Sequence, residues 1–267
     1  MERLQAALEK ARDRRRRTAK PAGPVKSAQI GTALWDALPR FETNQGHLRR
    51  KRVFLDAQSP EATHFDLLRT KILQKCRDNG WRRVLVTSPT KSCGKTTICS
   101  NIAASFARQT ARSLILMDFD MRRPELAKIF GLRGAQSVHD VLEERVMFQH
   151  QALRLSDTVA LSANHAPAPN PAKLILEDTS HEVIDAIERD YAPDIFMFDT
   201  PPMLVADDTL ALLKFVDCAL IVAAAEQTTT DQLDQCEKEI ADHTNVMGVV
   251  LNRCHYSKPS YGYDYSY

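Results

Sequence analysis

No apolar run in these 267 residues approaches the roughly 20 that a helix needs to cross a bilayer. A helical membrane span is thereby excluded. The opening residues, Met1-Glu2-Arg3-Leu4-Gln5, are charged and lack the apolar stretch of a secretory signal, so a cytoplasmic protein is expected. Six cysteines, at 76, 93, 99, 218, 236 and 254, include no C-x-x-C pair. Neither a zinc site nor a disulfide framework is implied. There is no internal repeat. The basic N-terminal stretch has no interleaved aromatics to stack on bases, which argues against specific nucleic-acid binding.

Apolar content, by contrast, is 43%, enough for a full core, and the length suits one α/β domain with an extension. The net charge of +2 hides an asymmetry: residues 1–52 carry 14 Lys and Arg against 5 Asp and Glu, the remainder 22 against 29. Residues 2–17 read as a short helix closing on Arg14 to Arg17, ended by Pro21 and Pro24. Such an arm is ordinarily just solvated; as a functional element it suits an anionic membrane surface or a partner. Residues 25–58 read as linker with Leu34-Trp35 as an anchor. The expected organisation is an arm and linker over 1–58, a folded domain over 59–254 and a mobile tail over 255–267.

Ser59-Pro60-Glu61 predicts a helix start, and Phe65, Leu68, Ile72 and Leu73 carry an apolar stripe towards Asn79-Gly80. Short apolar runs follow at 83–87, 113–117, 158–162, 195–198, 218–223 and 247–251. Helical segments near 96–108, 137–145, 172–189, 207–214 and 229–242 separate them. Continuous apolar runs of this length suit strands buried on both faces. The expected fold is an α/β, doubly wound, mainly parallel sheet with helices on both faces and ligands at the carboxyl ends of its strands.

The first strand runs into Ser88-Pro89-Thr90-Lys91-Ser92-Cys93-Gly94-Lys95-Thr96-Thr97. A strand, a turn and a helix N-terminus in succession form the setting of a phosphate loop. Backbone N–H groups over Ser92, Cys93, Gly94, Lys95, Thr96 and Thr97 would converge on an anion, helped by about half a positive charge from the helix dipole. Lys95 would reach the β- and γ-phosphates, and the Thr96 hydroxyl would hold Mg²⁺. Pro89 stands where the usual pattern has its first glycine. Cys93 reads as a small loop residue.

Two acidic motifs strengthen the assignment. Leu114-Ile115-Leu116-Met117-Asp118-Phe119-Asp120-Met121-Arg122 delivers two carboxylates at a strand's carboxyl end. Ile195-Phe196-Met197-Phe198-Asp199-Thr200-Pro201-Pro202 delivers a third. Any one of these could cap a helix, but three beside Gly94-Lys95-Thr96 make a Mg²⁺-nucleotide site. Mg²⁺ takes only one or two carboxylates besides phosphate oxygens and water. One of the three is left to act as a base.

The phosphate loop, D-x-D-x-R and the apolar-D-x-P-P run together resemble the three Walker-type motifs of the bacterial tyrosine kinases. These P-loop enzymes control capsule and exopolysaccharide export. The resemblance runs from about residue 59 to the C-terminus and includes Phe65-Asp66-Leu67-Leu68-Arg69-Thr70 and Pro169-Asn170-Pro171. Tyr256, Tyr261, Tyr263, Tyr265 and Tyr267, five of the six tyrosines, fall in the last twelve residues; family members autophosphorylate such a cluster. The resemblance implies ATP and Mg²⁺ as cofactors, with Lys95 on the phosphates, Asp118 deprotonating the tyrosine, and Thr96, Asp120 and Asp199 at the metal. Asn252 would contact adenine. It also implies self-association for transfer between copies, and a membrane polysaccharide co-polymerase as activator.

Two departures bear on assembly and subclass. At the family's ring-forming E-x-x-R-x-x-R motif this chain has Thr63, Asp66 and Arg69, so only the last arginine survives. The extra phosphate-loop lysine of partition ATPases would fall at Thr90, one residue before Lys91. The alternatives to a kinase are a partition- or cell-division-type ATPase switch, and an ATP-binding regulatory subunit of a polysaccharide exporter.

Overall fold

The computed structural model of the chain describes residues 31–57, 59–109 and 111–254. The helix expected over 2–17, with Arg14 to Arg17, and the tail tyrosines Tyr256, Tyr261, Tyr263, Tyr265 and Tyr267 lie outside the described residues. Among the described residues no helix is long and apolar enough to cross a membrane.

Two short helices, α1 (Gly31–Ala37) and α2 (Gln45–Arg50), precede the long α3 (Pro60–Asn79). Then come β1 (Arg83–Thr87), α4 (Lys95–Ala107) and β2 (Leu114–Asp118). Short helices α5 (Leu126–Phe130), α6 (Val138–Leu142) and α7 (Phe148–Gln151) lead to a hairpin, β3 (Leu153–Ser156) and β4 (Val159–Ser162). The chain continues through α8 (Pro171–Leu176), α9 (Asp178–Tyr191), β5 (Ile195–Asp199) and α10 (Asp207–Leu212). It ends in β6 (Cys218–Ala224), α11 (Thr230–Ala241) and β7 (Asn245–Asn252).

The seven strands lie in the order β3-β4-β2-β5-β1-β6-β7. All neighbours are parallel except the β3–β4 hairpin. The alternation of a strand splits its side chains between two cores. Leu85, Ile115, Met117, Phe196 and Phe198 face one core, while Val84, Val86, Leu114, Leu116 and Met197 face the other. That two-sided burial is why the strands read as unbroken apolar runs, and it confirms the doubly wound sheet.

The linker expected over 25–58 is corrected. Residues 31–57 strap the sheet from one face to the other. Trp35 and Leu38 enter the first core, Leu48 and Val53 the second. Between them the chain crosses the β3 edge, where Arg40 bridges Arg154 and the Arg154 N–H donates to the Pro39 carbonyl at 2.8 Å. The packed body therefore begins well before residue 59. Trp35 anchors the strap: it is 8% exposed, its indole N–H donates to the Tyr191 carbonyl at 2.9 Å, and the two rings meet edge to face. Trp35→Ala is expected to cost about 3–5 kcal/mol of folding stability, read by urea denaturation. A loss under about 1 kcal/mol would mean that the strap is dispensable.

The helix expected over 172–189 is two helices, because Glu177 is extended. The Ser180 hydroxyl donates to the Leu174 carbonyl at 2.6 Å and satisfies the end of α8 there. At the degraded ring motif, Arg69 is 5% exposed and turned inward. It donates to the Ser105 carbonyl and hydroxyl and to Asp66, which also takes Arg108. These side chains bind their own α3–α4 interface, and burial there keeps Arg69 from reaching a ring contact.

Candidate nucleotide site

The β1–α4 turn has the backbone that a phosphate loop requires. Ser92 and Gly94 both take positive φ, and a Cβ at Gly94 would stand 2.2 Å from the Asn252 amide nitrogen. Glycine is needed there for conformation and for space alike. Asn252 ends β7 with its amide donating to the Cys93 carbonyl at 2.9 Å, and its oxygen accepts the Arg253 N–H. Each end of the side chain thus holds a backbone group, and Asn252 braces the phosphate loop.

The Cys93 thiol is buried against Thr90 and Thr228. Burial raises its pKa, but hydrogen bonds from Thr228 and Thr90 outweigh that and leave it lowered. Cys93 does not line the cavity of the site, consistent with a small loop residue.

Lys95, the first residue of α4, is 7% exposed. It opens with Ser92, Gly94, Thr96 and Thr97 onto a cavity of about 760 Å³. Asp120, Arg122 and Arg123 line one wall, and Pro201, Pro202, Val205 and Asp207 another. Beneath the cavity Asp118 and Asp199 are cross-strand partners on β2 and β5, both fully buried. Asp118 Oδ1 accepts the Asp120 N–H at 3.1 Å, while Oδ2 of Asp118 and Oδ2 of Asp199 have no partner.

Two adjacent carboxylates in a dry site cannot both ionise cheaply. Burial, then Asp199, then Asp120 push Asp118 well above the usual carboxylate range. Burial raises Asp199 to about 6 even though Lys95 and the Thr96 hydroxyl pull it down. Burial also raises Asp120, against the pull of Lys95.

These orphaned oxygens fit a cation, and so does the all-oxygen donor set of Thr96, Asp120 and Asp199. Among the described residues no group of three His, Cys, Asp or Glu side chains forms a closed metal cage. Mg²⁺ needs none when phosphate and water complete its shell.

The loops carrying the motifs are stitched together. Thr87 and Thr209 hydroxyls donate to the Pro201 carbonyl, and the Met203 N–H donates to the Ser88 carbonyl. All the predicted loop and acidic residues thus meet at the carboxyl ends of β1, β2 and β5.

The model of the CobQ/CobB/MinD/ParA nucleotide binding domain family matches residues 84–260. The chain belongs to this family. It is 28% identical over 227 residues to the tyrosine-protein kinase YwqD of Bacillus subtilis, covering 82% of this chain and 94% of that protein. It is 26% identical over 248 residues to a putative tyrosine-protein kinase in the cps region of Klebsiella pneumoniae, covering 86% of this chain. There it spans only 33% of the relative's length. The crystal structure of the chimerical protein CapA2B2 superposes with a TM-score of 0.69 at 23% identity, covering 81% of this chain and 92% of that one. That likeness establishes the fold.

Two site features of this family member have little or no signature in the sequence. Asn164, just beyond β4, donates to the Asp118 carbonyl at 2.6 Å and accepts the Val138 N–H, so it fixes the end of β2. Arg122, the last letter of D-x-D-x-R, grips Asp208. The first could be suspected from a polar residue directly after an apolar strand; the second has no local signal.

Proposed function

We propose that the chain is an ATP-dependent protein-tyrosine kinase that phosphorylates its own C-terminal tyrosines and acts in exopolysaccharide or capsule production. The observation that carries this reading is that Lys95 and Asp120 open onto one cavity with Asp118 and Asp199, both fully buried and each with an unpartnered oxygen, directly beneath it. Its relatives' names and the tyrosine-rich tail supply the acceptor.

The phosphate-loop N–H groups and Lys95 bind and orient the triphosphate. Thr96, Asp120 and Asp199 would hold Mg²⁺, which when bound offsets charge on the phosphates. Asp118 in its ionised form takes the phenolic proton: a raised pKa makes it the stronger base among carboxylates, and its unpartnered Oδ2 is the acceptor. In this reading the tail of one copy reaches the site of another, and a membrane polysaccharide co-polymerase activates the assembly beneath the membrane.

The test mixes a Lys95→Met chain with an active chain lacking residues 256–267, in Mg-ATP, and probes for phosphotyrosine. Label is expected on the inactive partner's tail. If ATP is hydrolysed while no tyrosine labels in any combination, the ATPase-switch reading replaces this one.

A further inference from the structure

We propose that Arg122 is a positioning residue: through Asp208 it clamps the loop after β2 to the loop after β5, and it does not contact phosphate. The proposal rests on the reading of the cavity as a phosphoryl-transfer site, but not on tyrosine as the acceptor. Arg122 lines the cavity two residues after Asp120, where a guanidinium would ordinarily be taken for a phosphate ligand. Its hydrogen bonds point elsewhere. Nε donates to Asp208 Oδ2 at 2.7 Å and a terminal nitrogen to Oδ1 at 2.9 Å, a two-point fork, with a further bond to Asp207 at 3.0 Å.

Asp208 lies in the first turn of α10 and is 0% exposed. Were Arg122 to swing towards a phosphate, that carboxylate would stay buried without its counter-ion, a strongly unfavourable arrangement. Arg123 differs. It lines the same cavity, is exposed, and among the described residues no ion pair engages its guanidinium. Its backbone N–H donates to Asp120 Oδ1 at 3.1 Å, so the turn that aims Asp120 is held by its own backbone on one side and by the Arg122 fork on the other.

The mechanical consequence follows from what else holds these loops. The 200–206 segment is already tied to the phosphate loop by Met203 N–H to the Ser88 carbonyl, Leu204 N–H to the Pro89 carbonyl, and Thr87 to the Pro201 carbonyl. The Arg122 fork ties that segment, through α10, to the β2 loop that carries Asp120. Without it the phosphate loop and the 200–206 segment stay tied to each other, while the tip of the β2 loop that carries Asp120 loses its tie to them. Nucleotide binding by the loop backbone and Lys95 would survive; alignment of the carboxylates with the transferring group would not.

The experiment compares Arg122→Gln, Asp208→Asn, the double variant and Arg123→Gln for ATP turnover, for ADP affinity and for thermal stability. Arg122→Gln is expected to lose about 100-fold in turnover, the scale of a misplaced reacting group, with ADP affinity within about threefold of the parent. The double variant should recover stability and at least about tenfold of the lost turnover, because the buried carboxylate is gone and amide can pair with amide. Arg123→Gln should weaken ADP instead.

Unchanged turnover in Arg122→Gln overturns the proposal. So does a loss of ADP affinity in Arg122→Gln that exceeds that of Arg123→Gln, or a double variant no better than the single. If Arg122→Gln does not fold, Arg122→Lys, which keeps charge but not the fork, and the double variant carry the same comparison. If the parent turns over no ATP, the phosphoryl-transfer reading fails, while ADP affinity and mutual rescue of stability still decide the clamp.

Discussion

Lys95→Met is expected to remove ATP turnover almost entirely, by on the order of 10²–10³ or more, while the chain stays folded. Methionine keeps most of the aliphatic stem, so packing at the first turn of α4 changes little. The charge matters in two ways. In the proposed site it faces the triphosphate, and it is the cation that pulls Asp120 and Asp199 towards ionisation against their burial. Without it both carboxyls are driven further up, and the donor set for Mg²⁺ is protonated over more of the physiological range. Loss of turnover should therefore come with weakened Mg²⁺-nucleotide binding in a chain that still unfolds cooperatively in urea. A variant retaining more than about a tenth of parental turnover would place the phosphate-binding charge elsewhere in the cavity.

What the sequence makes legible follows from which signals are local. Asp118 and Asp199 each directly end an apolar run and Asp120 follows two residues on, so their place at strand ends is plain from the order of residues alone. Their mutual arrangement is not. Asp118 and Asp199 are neighbours because β2 pairs with β5, and the order β2-β5-β1 is set by crossovers that leave no local pattern. The Arg122–Asp208 fork joins residues 86 apart for the same reason. The strap over 31–57 reads as linker because its buried residues, Trp35, Leu38, Leu48 and Val53, follow neither a 3.6 nor a 2 period. They insert one at a time into gaps that the rest of the fold provides. The β3 edge gives no strand signal because Leu153-Arg154-Leu155-Ser156 is short, and its arginine is buried through an ion pair with Asp36 in that same strap.

Asp118→Asn and Asp199→Asn should separate catalysis from binding, and pH should reveal how. In the free chain Asp199 titrates near 6, above the ordinary value of 3.8. A raised acid pKa means that the native state holds its proton where the unfolded chain has lost it. This group's contribution to stability is therefore most favourable below about pH 4 and declines as pH rises through 6. A shift of this size corresponds to about 3 kcal/mol of strain at neutral pH. Asp199→Asn should then stabilise the free chain at pH 8 by up to about that amount, an advantage that shrinks as pH falls towards 4.

The same substitution should weaken Mg²⁺-nucleotide binding, because a carboxylate donor is lost. In the parent, binding should release protons and weaken below about pH 6. Asp118→Asn acts differently. It replaces a carboxyl that burial already pushes towards its neutral form and that is not among the proposed metal donors, so Mg²⁺-nucleotide should bind about as well as in the parent. Transfer should still fall by about 10²–10⁴, the usual worth of a positioned base. Calorimetry in two buffers of different ionisation enthalpy, alongside single-turnover transfer, reads both effects. If both variants lose nucleotide affinity equally, or if Asp118→Asn transfers at the parental rate, Asp118 is not the base, and Asp120, which opens directly onto the cavity, takes that role.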